Sequence, residues 1–155
     1  MYPKLVNSDQ EFQKSIEAYL TDQNVLSMMI LMAENNRCDI DYIETLIKSS
    51  SKTIIGGKFP KIIYENKLYS DGIMFIPLKF KLKTVCFDFN ESDNHCYDKL
   101  NSVLNNNTHQ IKSMFMFFDA LSVKKDAFVD CLFNFFGTTV KYVGRFPFLA
   151  YIGPR

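Results

Sequence analysis

The chain has 155 residues, of which 47% are hydrophobic and 23% are charged, and its formal net charge is +1. This length suits one domain with a sizeable core, and the composition is that of a globular protein and not of a disordered one. The near-neutral charge excludes a broad cationic surface for nucleic acid or anionic lipid.

The first half of the chain alternates helix and strand patterns. Ser8 and Glu11 have the spacing of a capping box, which predicts an amphipathic helix over residues 8–22. The near-continuous apolar run 24–34 is typical of a strand covered on both faces. Asp39 is placed to cap a second helix with an apolar stripe, and the next strand, KTIIGG, ends in two adjacent glycines.

The middle of the chain alternates short apolar runs with turn residues. Residues 61–89 predict an antiparallel meander with turns at 65–66 and 70–72. Pro77 predicts that its strand lies at an edge of the sheet or is bulged. A polar helix then follows over residues 92–104.

The last third of the chain has a second strand–helix–strand order. An apolar strand is predicted at residues 112–120, and Ser122 is placed to cap a fourth helix. Gly137 fits the position just after the end of that helix. The strand TVKYVG closes the pattern, and an aromatic tail occupies residues 145–155.

Residues 25–57 and 111–145 share one order of elements: strand, acidic residue, capped helix, turn, strand and glycine. This shared order is explained equally well by an internal duplication of the sequence and by coincidence. Either way each copy is a β-α-β unit, whose two strands run parallel through a right-handed crossover. The predicted fold is α/β: a mixed, partly parallel sheet from two β-α-β units, with a central antiparallel meander and about four helices, in a single domain over residues 1–155.

The carboxyl ends of the predicted parallel strands suggest a binding site. Parallel strands direct these ends to one edge of the sheet, where open α/β sheets bind ligands. We therefore expect a small-molecule pocket there, whereas the plainer alternative gives the glycines and carboxylates only turn, bulge and capping roles. The candidate ligand-binding residues are Glu34, Asn35, Gly56, Gly57, Lys58, Asp119, Gly144 and Arg145. Asp71 and Gly72 are expected to form a structural turn.

Motifs for metal, nucleotide or nucleophile chemistry are not found. His95 and Cys96 with Cys86 match no zinc spacing, so no metal is expected. The glycines lead into strands and not into a helix, unlike a phosphate-binding loop, and no cofactor is expected. An enzyme that uses Glu34, Asp119 or a cysteine is the less favoured alternative.

Neither a membrane nor a nucleic acid is expected as a partner. The longest apolar run, Val25–Ala33, is too short to cross a bilayer, and the first ten residues lack a signal-peptide pattern. Lysines alternate at positions 79, 81 and 83, which fits a solvated sheet edge and not a base-stacking platform.

Cysteine usage predicts a cytoplasmic location. Four cysteines occur without paired spacing, at positions 38, 86, 96 and 131. With no export signal, they are expected to be reduced, buried thiols.

Residues 53–78, TIIGGKFPKIIYENKLYSDGIMFIPL, resemble the N-terminal domain of the FIST (F-box and intracellular signal transduction) family. The likeness covers about residues 10–144 and includes MFMFFDALSVKKDAFVDCLFNFFGTTVKYVG near its end. This chain differs from the family after Gly144. Family members continue there with further Gly, Ala and Ser residues, whereas this chain has Arg145 and the aromatic tail. Family members continue into a C-terminal FIST domain, so the resemblance implies a truncated or divergent version.

The resemblance implies an intracellular sensory module that binds a small ligand, an amino acid among the candidates. It implies that the module is not catalytic. It also implies that the module passes a signal to a C-terminal FIST domain or to a partner protein. The resemblance implies structural or pocket-lining roles for the positions that match the family: Gly56, Gly57, Asp71, Gly72, Asp119 and Gly144. The alternative function is an interaction or scaffold fragment without a pocket, whose tail packs against a partner or against a second copy in a homodimer.

Overall fold

The computed structural model describes residues 2–36, 40–87, 93–104, 111–117, 125–145 and 149–150. The chain divides into two compact units, Met1–Leu82 together with Pro147–Arg155, and Lys83–Phe146. Each unit has its own hydrophobic core. That the whole chain is a single domain stays a prediction.

The described residues contain four helices and nine strands. In chain order they are β1 (Lys4–Val6), α1 (Asp9–Thr21), β2 (Ser27–Ala33), α2 (Ile40–Ser49), β3 (Thr53–Phe59), β4 (Ile62–Tyr64), β5 (Lys67–Tyr69), β6 (Ile73–Leu78), α3 (Asp93–Leu104), β7 (Ser113–Phe117), α4 (Lys125–Phe136), β8 (Lys141–Arg145) and β9 (Leu149–Ala150). No helix among these is both long and apolar enough to cross a membrane.

The first unit is built on a mixed sheet with the strand order β1-β6-β2-β3-β9. Strands β2 and β3 pair in parallel, and β6 pairs antiparallel with both β1 and β2. Because β1 and β2 both oppose β6, the strands β1, β2 and β3 run in the same direction, and their carboxyl ends lie at one edge. The predicted α/β class with a partly parallel sheet is confirmed.

The meander differs from its prediction in how it is built. Strands β4 and β5 form a separate hairpin, and β6 joins the main sheet. The hairpin turn is at Glu65 and Asn66, which both have positive φ, of 47° and 61°. This is the backbone of a tight two-residue hairpin turn. Residues 84–87, expected in a further strand, have no regular structure, and 88–89 lie outside the described residues.

The prediction that the strand of Pro77 lies at an edge or is bulged is wrong, because β6 lies between β1 and β2 and its register against β2 is continuous. Pro77 lies in β6 opposite Met28 of β2. The pairing of β6 with β1 ends at Phe75, so Pro77 is beyond the last residue paired on that side in the described sheet. A proline has no N–H to donate and is tolerated where one side of the strand is unpaired.

Both helices of the first unit pack in one core on one face of the sheet. Helix α1 begins where the Ser8 hydroxyl accepts a hydrogen bond from the Glu11 N–H at 3.4 Å, which confirms the predicted N-cap. Its buried Phe12 and Ile16 share this core with Ile43 of α2 and with alternate residues of β2. The predicted cap Asp39 of the second helix lies outside the described residues.

Strand β2 is covered on both faces, as its apolar run predicts. Met28, Ile30 and Met32 belong to the core shared with the helices. Ala33 belongs to a second cluster with Ile62 of the hairpin strand β4. Because a strand points successive side chains to opposite faces, a strand between two cores needs apolar residues at nearly every position.

The second unit contains the other β-α-β motif. Strands β7 and β8 pair in parallel over Ser113–Phe117 and Lys141–Arg145, with α4 between them in the chain. Helix α4 ends at Phe136, and Gly137 follows it directly, as predicted: the φ of Gly137 is 62°, and its N–H donates to the Phe133 carbonyl at 2.8 Å. Glycine adopts this conformation without the penalty that a Cβ brings, and its N–H satisfies a terminal carbonyl of the helix.

The predicted state of the cysteines is wrong for two of them. Cys96 of α3 and Cys131 of α4 form a disulfide in the core of the second unit. They lie 35 residues apart in sequence, so only the packing of two helices reveals the pair. Cys86 is a free thiol but is exposed and not buried, and Cys38 lies outside the described residues.

Candidate functional site

The predicted ligand residues are distributed over both units. Glu34 and Asn35 are exposed and follow β2 directly at its carboxyl end, in the first unit. Gly144 and Arg145 are the last two residues of β8, in the second unit. Asp119 lies outside the described residues.

The glycine pair lies inside β3 and not at its end, contrary to the sequence-based expectation. The strand continues to Phe59, and Gly56 and Gly57 pair with Ile30 and Leu31 of β2. Lys58 also lies within the strand, opposite Met32. At about 3.3 Å per residue in a parallel strand, Gly56 is about 10 Å from the carboxyl end of β3.

The structure shows why position 56 is glycine. A Cβ at Gly56 would overlap the backbone carbonyl of Ile30 in the neighbouring strand. The glycine therefore accommodates the backbone of β2, and no ligand is needed to explain it. A strand interior was not anticipated because a glycine pair after an apolar run usually indicates a turn.

The carboxyl ends of β1 and β2 form a polar surface with the loop before β6. We call this surface the carboxyl rim and define it as Asn7, Glu34, Asn35, Asn36, Ser70, Asp71 and Gly72. All of its residues belong to the first unit. It occupies the edge of the sheet where open α/β folds bind ligands.

Backbone hydrogen bonds join the two loops of the carboxyl rim. The Ala33 N–H donates to the Gly72 carbonyl and the Asn35 N–H donates to the Ser70 carbonyl, each at 3.0 Å. The Asn36 N–H donates back to the Ala33 carbonyl at 3.1 Å. These bonds extend the pairing of β2 with β6 beyond the strand ends, so the side chains of the rim stand on a fixed backbone.

Gly72 brings the end of β1 close to the same loop. Its φ is 99°, a left-handed conformation that favours glycine, and its N–H donates to the Asp71 carboxylate at 2.7 Å. A Cβ at this position would overlap the side-chain oxygen of Asn7. Glycine thus permits Asn7 to lie directly against the Asp71–Gly72 turn.

Asn36 carries a buried side-chain atom of the carboxyl rim that has no hydrogen-bond partner. Its side-chain nitrogen Nδ2 is buried and has no hydrogen-bond partner, the one such side-chain atom found among the described residues. Leaving a buried donor unpaired costs about 1–3 kcal/mol, which is why such groups are rare in native proteins. Asn36 Nδ2 is thus a buried donor that could pair with an added oxygen acceptor at this edge of the sheet.

The charged residues of the rim are acidic. Glu34 and Asp71 are exposed carboxylates, and α1 starts directly after the rim with Asp9 and Glu11 in its first turn. The rim therefore combines carboxylates, which attract cations, with a buried amide donor, which requires an oxygen acceptor. This set of groups can bind and orient a small polar molecule.

Two tyrosine hydroxyls form hydrogen bonds with the backbone just before the amino end of β1. The Tyr19 and Tyr64 hydroxyls donate to the carbonyls of Tyr2 and Pro3, at 3.1 and 3.3 Å. Burial raises the pKa of Tyr19, and the neighbouring Tyr64 adds to this shift. Burial is also the main cause of the raised pKa of Tyr64. Both hydroxyls therefore remain protonated donors that hold the segment before β1 in place.

In the described part of the chain, no three His, Cys, Asp or Glu side chains are grouped so that they could hold a metal ion. Asn7, Asn36 and Ser70 were missed as site residues. Asn36 directly follows two predicted candidates, and only its buried side-chain nitrogen distinguishes it. The strand that precedes Asn7 has three residues, too few to show a period, and Ser70 was interpreted as part of a turn. The capping signal at Ser8 could have indicated that a strand ends just before it.

Comparisons with protein-family models, with curated proteins and with solved structures found no match to this chain.

Proposed function

We propose that this chain is a non-catalytic, intracellular sensory module that binds a small ligand at the carboxyl rim of its first unit. The observation that carries the proposal is the buried Nδ2 of Asn36 without a partner, at the shared edge of strands that run in one direction. The resemblance to the FIST N-terminal domain supports the same class of function.

The groups of the carboxyl rim favour a ligand with two kinds of polar group. Asn36 Nδ2 would donate to a carbonyl or carboxylate oxygen of the ligand, which removes the cost of the unpaired donor. Glu34 and Asp71 would attract an ammonium group. A free amino acid carries both groups and is the ligand class that we propose.

The location and the signalling role belong to this proposal. The Cys96–Cys131 disulfide removes the cysteine argument for a cytoplasmic location, so the proposal takes that location from the FIST resemblance. A cytoplasmic protein would meet free amino acids in solution, and ligand binding would order the side chains of the two loops joined at the rim. A partner protein or a FIST C-terminal domain would then recognise the ligand-bound state. The strength of such a signal depends on how much more tightly the ligand binds the signalling conformation of the module than the resting conformation.

A thermal-shift screen with the proteinogenic amino acids tests the proposal. A ligand that binds only the native state raises the melting temperature in a concentration-dependent way. We expect at least one amino acid to do so with the wild type and to lose its effect with Asn36→Ala. The matched control is Asn101→Ala, since Asn101 is exposed on α3. The proposal fails if no amino acid shifts the wild-type transition, or if Asn36→Ala leaves the shift unchanged.

A second candidate function is protein interaction through the hairpin of β4 and β5. Ile63 and Leu68 face each other across the hairpin and are 61% and 65% exposed. An exposed apolar pair on a two-stranded sheet fits a docking surface for a partner or a second copy. Light scattering would detect a wild-type dimer that Ile63→Ser with Leu68→Ser dissociates. A monomer at all concentrations would exclude the second copy.

A further inference from the structure

The second unit contains a covalent link between its two helices. Cys96 lies in the first turn of α3, and Cys131 lies in the middle of α4. Their side chains are only 9% and 8% exposed, and they pack in one cluster with Leu100 and Leu132. The disulfide is therefore part of the core and not a surface cross-link.

Helix α4 is also attached to strand β8. The Tyr142 hydroxyl of β8 donates to the Gly137 carbonyl at 3.0 Å and lies 3.3 Å from the Leu132 carbonyl. The ring of Tyr142 packs on that of Phe133, with 4.5 Å between their centroids. Strand β8 in turn pairs with β7, so α4 keeps its place on the sheet without the disulfide.

Helix α3 contacts α4 through side chains. Its buried Leu100 and Leu104 join the core, and the rings of Tyr97 and Phe135 lie 5.8 Å apart. The helix has 12 residues, a length at which an isolated helix is marginal in water. Packing on α4 and the disulfide therefore hold α3 in its helical form.

We infer that the Cys96–Cys131 disulfide is a redox-sensitive latch that controls whether α3 stays on α4. In the oxidised state the bond fixes the first turn of α3 to the middle of α4. In the reduced state α3 detaches and unfolds locally, whereas α4 remains on the sheet through Tyr142. The inference concerns the second unit and goes beyond the ligand binding proposed for the first.

The reductant is a dithiol, and the reaction is ordinary thiol–disulfide exchange. A thiolate of the dithiol attacks one sulfur of the pair, which breaks the S–S bond and forms a mixed disulfide. The second thiol of the reductant closes its own disulfide, and Cys96 and Cys131 leave with two electrons and two protons as thiols. Because both sulfurs are in the core, fraying of the first turn of α3 must precede the attack. Oxidised glutathione reverses the reaction.

Hydrogen exchange of the full-length chain, followed by mass spectrometry with and without dithiothreitol, tests the inference. We expect reduction to raise amide exchange in Asp93–Leu104 by at least about tenfold, as for a segment that opens locally. Exchange in Lys125–Phe136 should change by less than about threefold, and that in Ser27–Ala33 should not change. Oxidised glutathione should restore the original rates.

Two variants separate the latch from other effects of the reductant. Cys86→Ser removes the exposed free thiol and should behave as the wild type in both conditions. The double variant Cys96→Ser with Cys131→Ser should show the exchange rates of the reduced protein without any reductant. If this variant does not fold, exchange of the wild type with and without dithiothreitol is sufficient to test the inference.

Several results would overturn the inference. One is alkylation of Cys96 and Cys131 in air-oxidised native protein, which would mean that the bond does not form. Another is equal exchange in α3 before and after reduction. A third is opening of α4 together with α3, and a fourth is a response to reductant that Cys86→Ser abolishes.

Discussion

At the scale of single residues, close packing of backbone explains a glycine that the sequence predicted only as a candidate ligand-binding residue. Gly56 looked like a pocket residue because glycine permits close approach, and the structure shows that the approaching group is the Ile30 carbonyl of β2. Asn36 is the reverse case. Nothing in the sequence distinguishes it from its neighbour Asn35, and only its burial without a partner marks it.

Gly56→Ala should destabilise the first unit whether or not a ligand is present. The added Cβ would overlap the Ile30 carbonyl, and backbone cannot move as a flexible side chain can. We expect a loss of about 3 kcal/mol in the free energy of unfolding, at the upper end of overpacking effects. Urea denaturation followed by circular dichroism measures it.

The control for this variant is Gly137→Ala. A Cβ at Gly137 meets no atom within 4 Å, so its cost comes only from the positive φ of 62°. That cost is about 1–2 kcal/mol. Equal losses for the two variants would contradict the packing explanation.

Asn36→Ala should have opposite effects on stability and on binding. Removing the unpaired Nδ2 removes a desolvation penalty, so the ligand-free variant should be as stable as the wild type or more stable, by up to about 1 kcal/mol. The same change should abolish ligand-induced stabilisation. A loss of more than about 1 kcal/mol in the ligand-free protein would show that the side chain is structural.

At the scale of elements, the predictions succeeded where the signal is local. The helix at Asp9–Thr21 was predicted from its cap and apolar stripe, and β2 from its continuous apolar run. Strands β1 and β9, with three and two residues, are too short to show a period. Their existence depends on pairing with distant strands, which no local pattern reports.

Lys52 links the end of α1 to the start of β3. Its ammonium donates to the carbonyls of Tyr19 and Asp22, at 2.8 and 2.6 Å, and α1 has no basic residue in its own last turn. A cation there satisfies terminal carbonyls and stabilises the helix dipole. We expect Lys52→Met, which keeps most of the side-chain stem, to lower the free energy of unfolding by about 1–2 kcal/mol.

Lys48→Met is the matched control for Lys52→Met in urea denaturation. Lys48 makes an exposed ion pair with Glu44 at 3.4 Å, four residues earlier on α2. Such a pair contributes at most about 0.5 kcal/mol. If the two lysine variants unfold with the same midpoint, the role assigned to Lys52 is wrong.

At the scale of the whole molecule, strand direction determines which loops meet at one edge of the sheet. The alternation of helices and strands was sufficient to predict an α/β fold with parallel strands. It was not sufficient to predict which strand ends meet, because the strand order β1-β6-β2-β3-β9 inserts β6 between two strands that it opposes. The resulting edge brings Asn7 and Asp71 to the end of β2, and these residues are distant in sequence from Asn36.

The most direct test of the proposed site is an NMR titration of the full-length protein with the first amino acid that raises its melting temperature. We predict that the largest shift changes occur at the backbone amides of residues 34–36 and 70–72 and at the side-chain amide of Asn36. Changes confined to the hairpin at residues 62–69, or to β8 in the second unit, would contradict binding at the carboxyl rim.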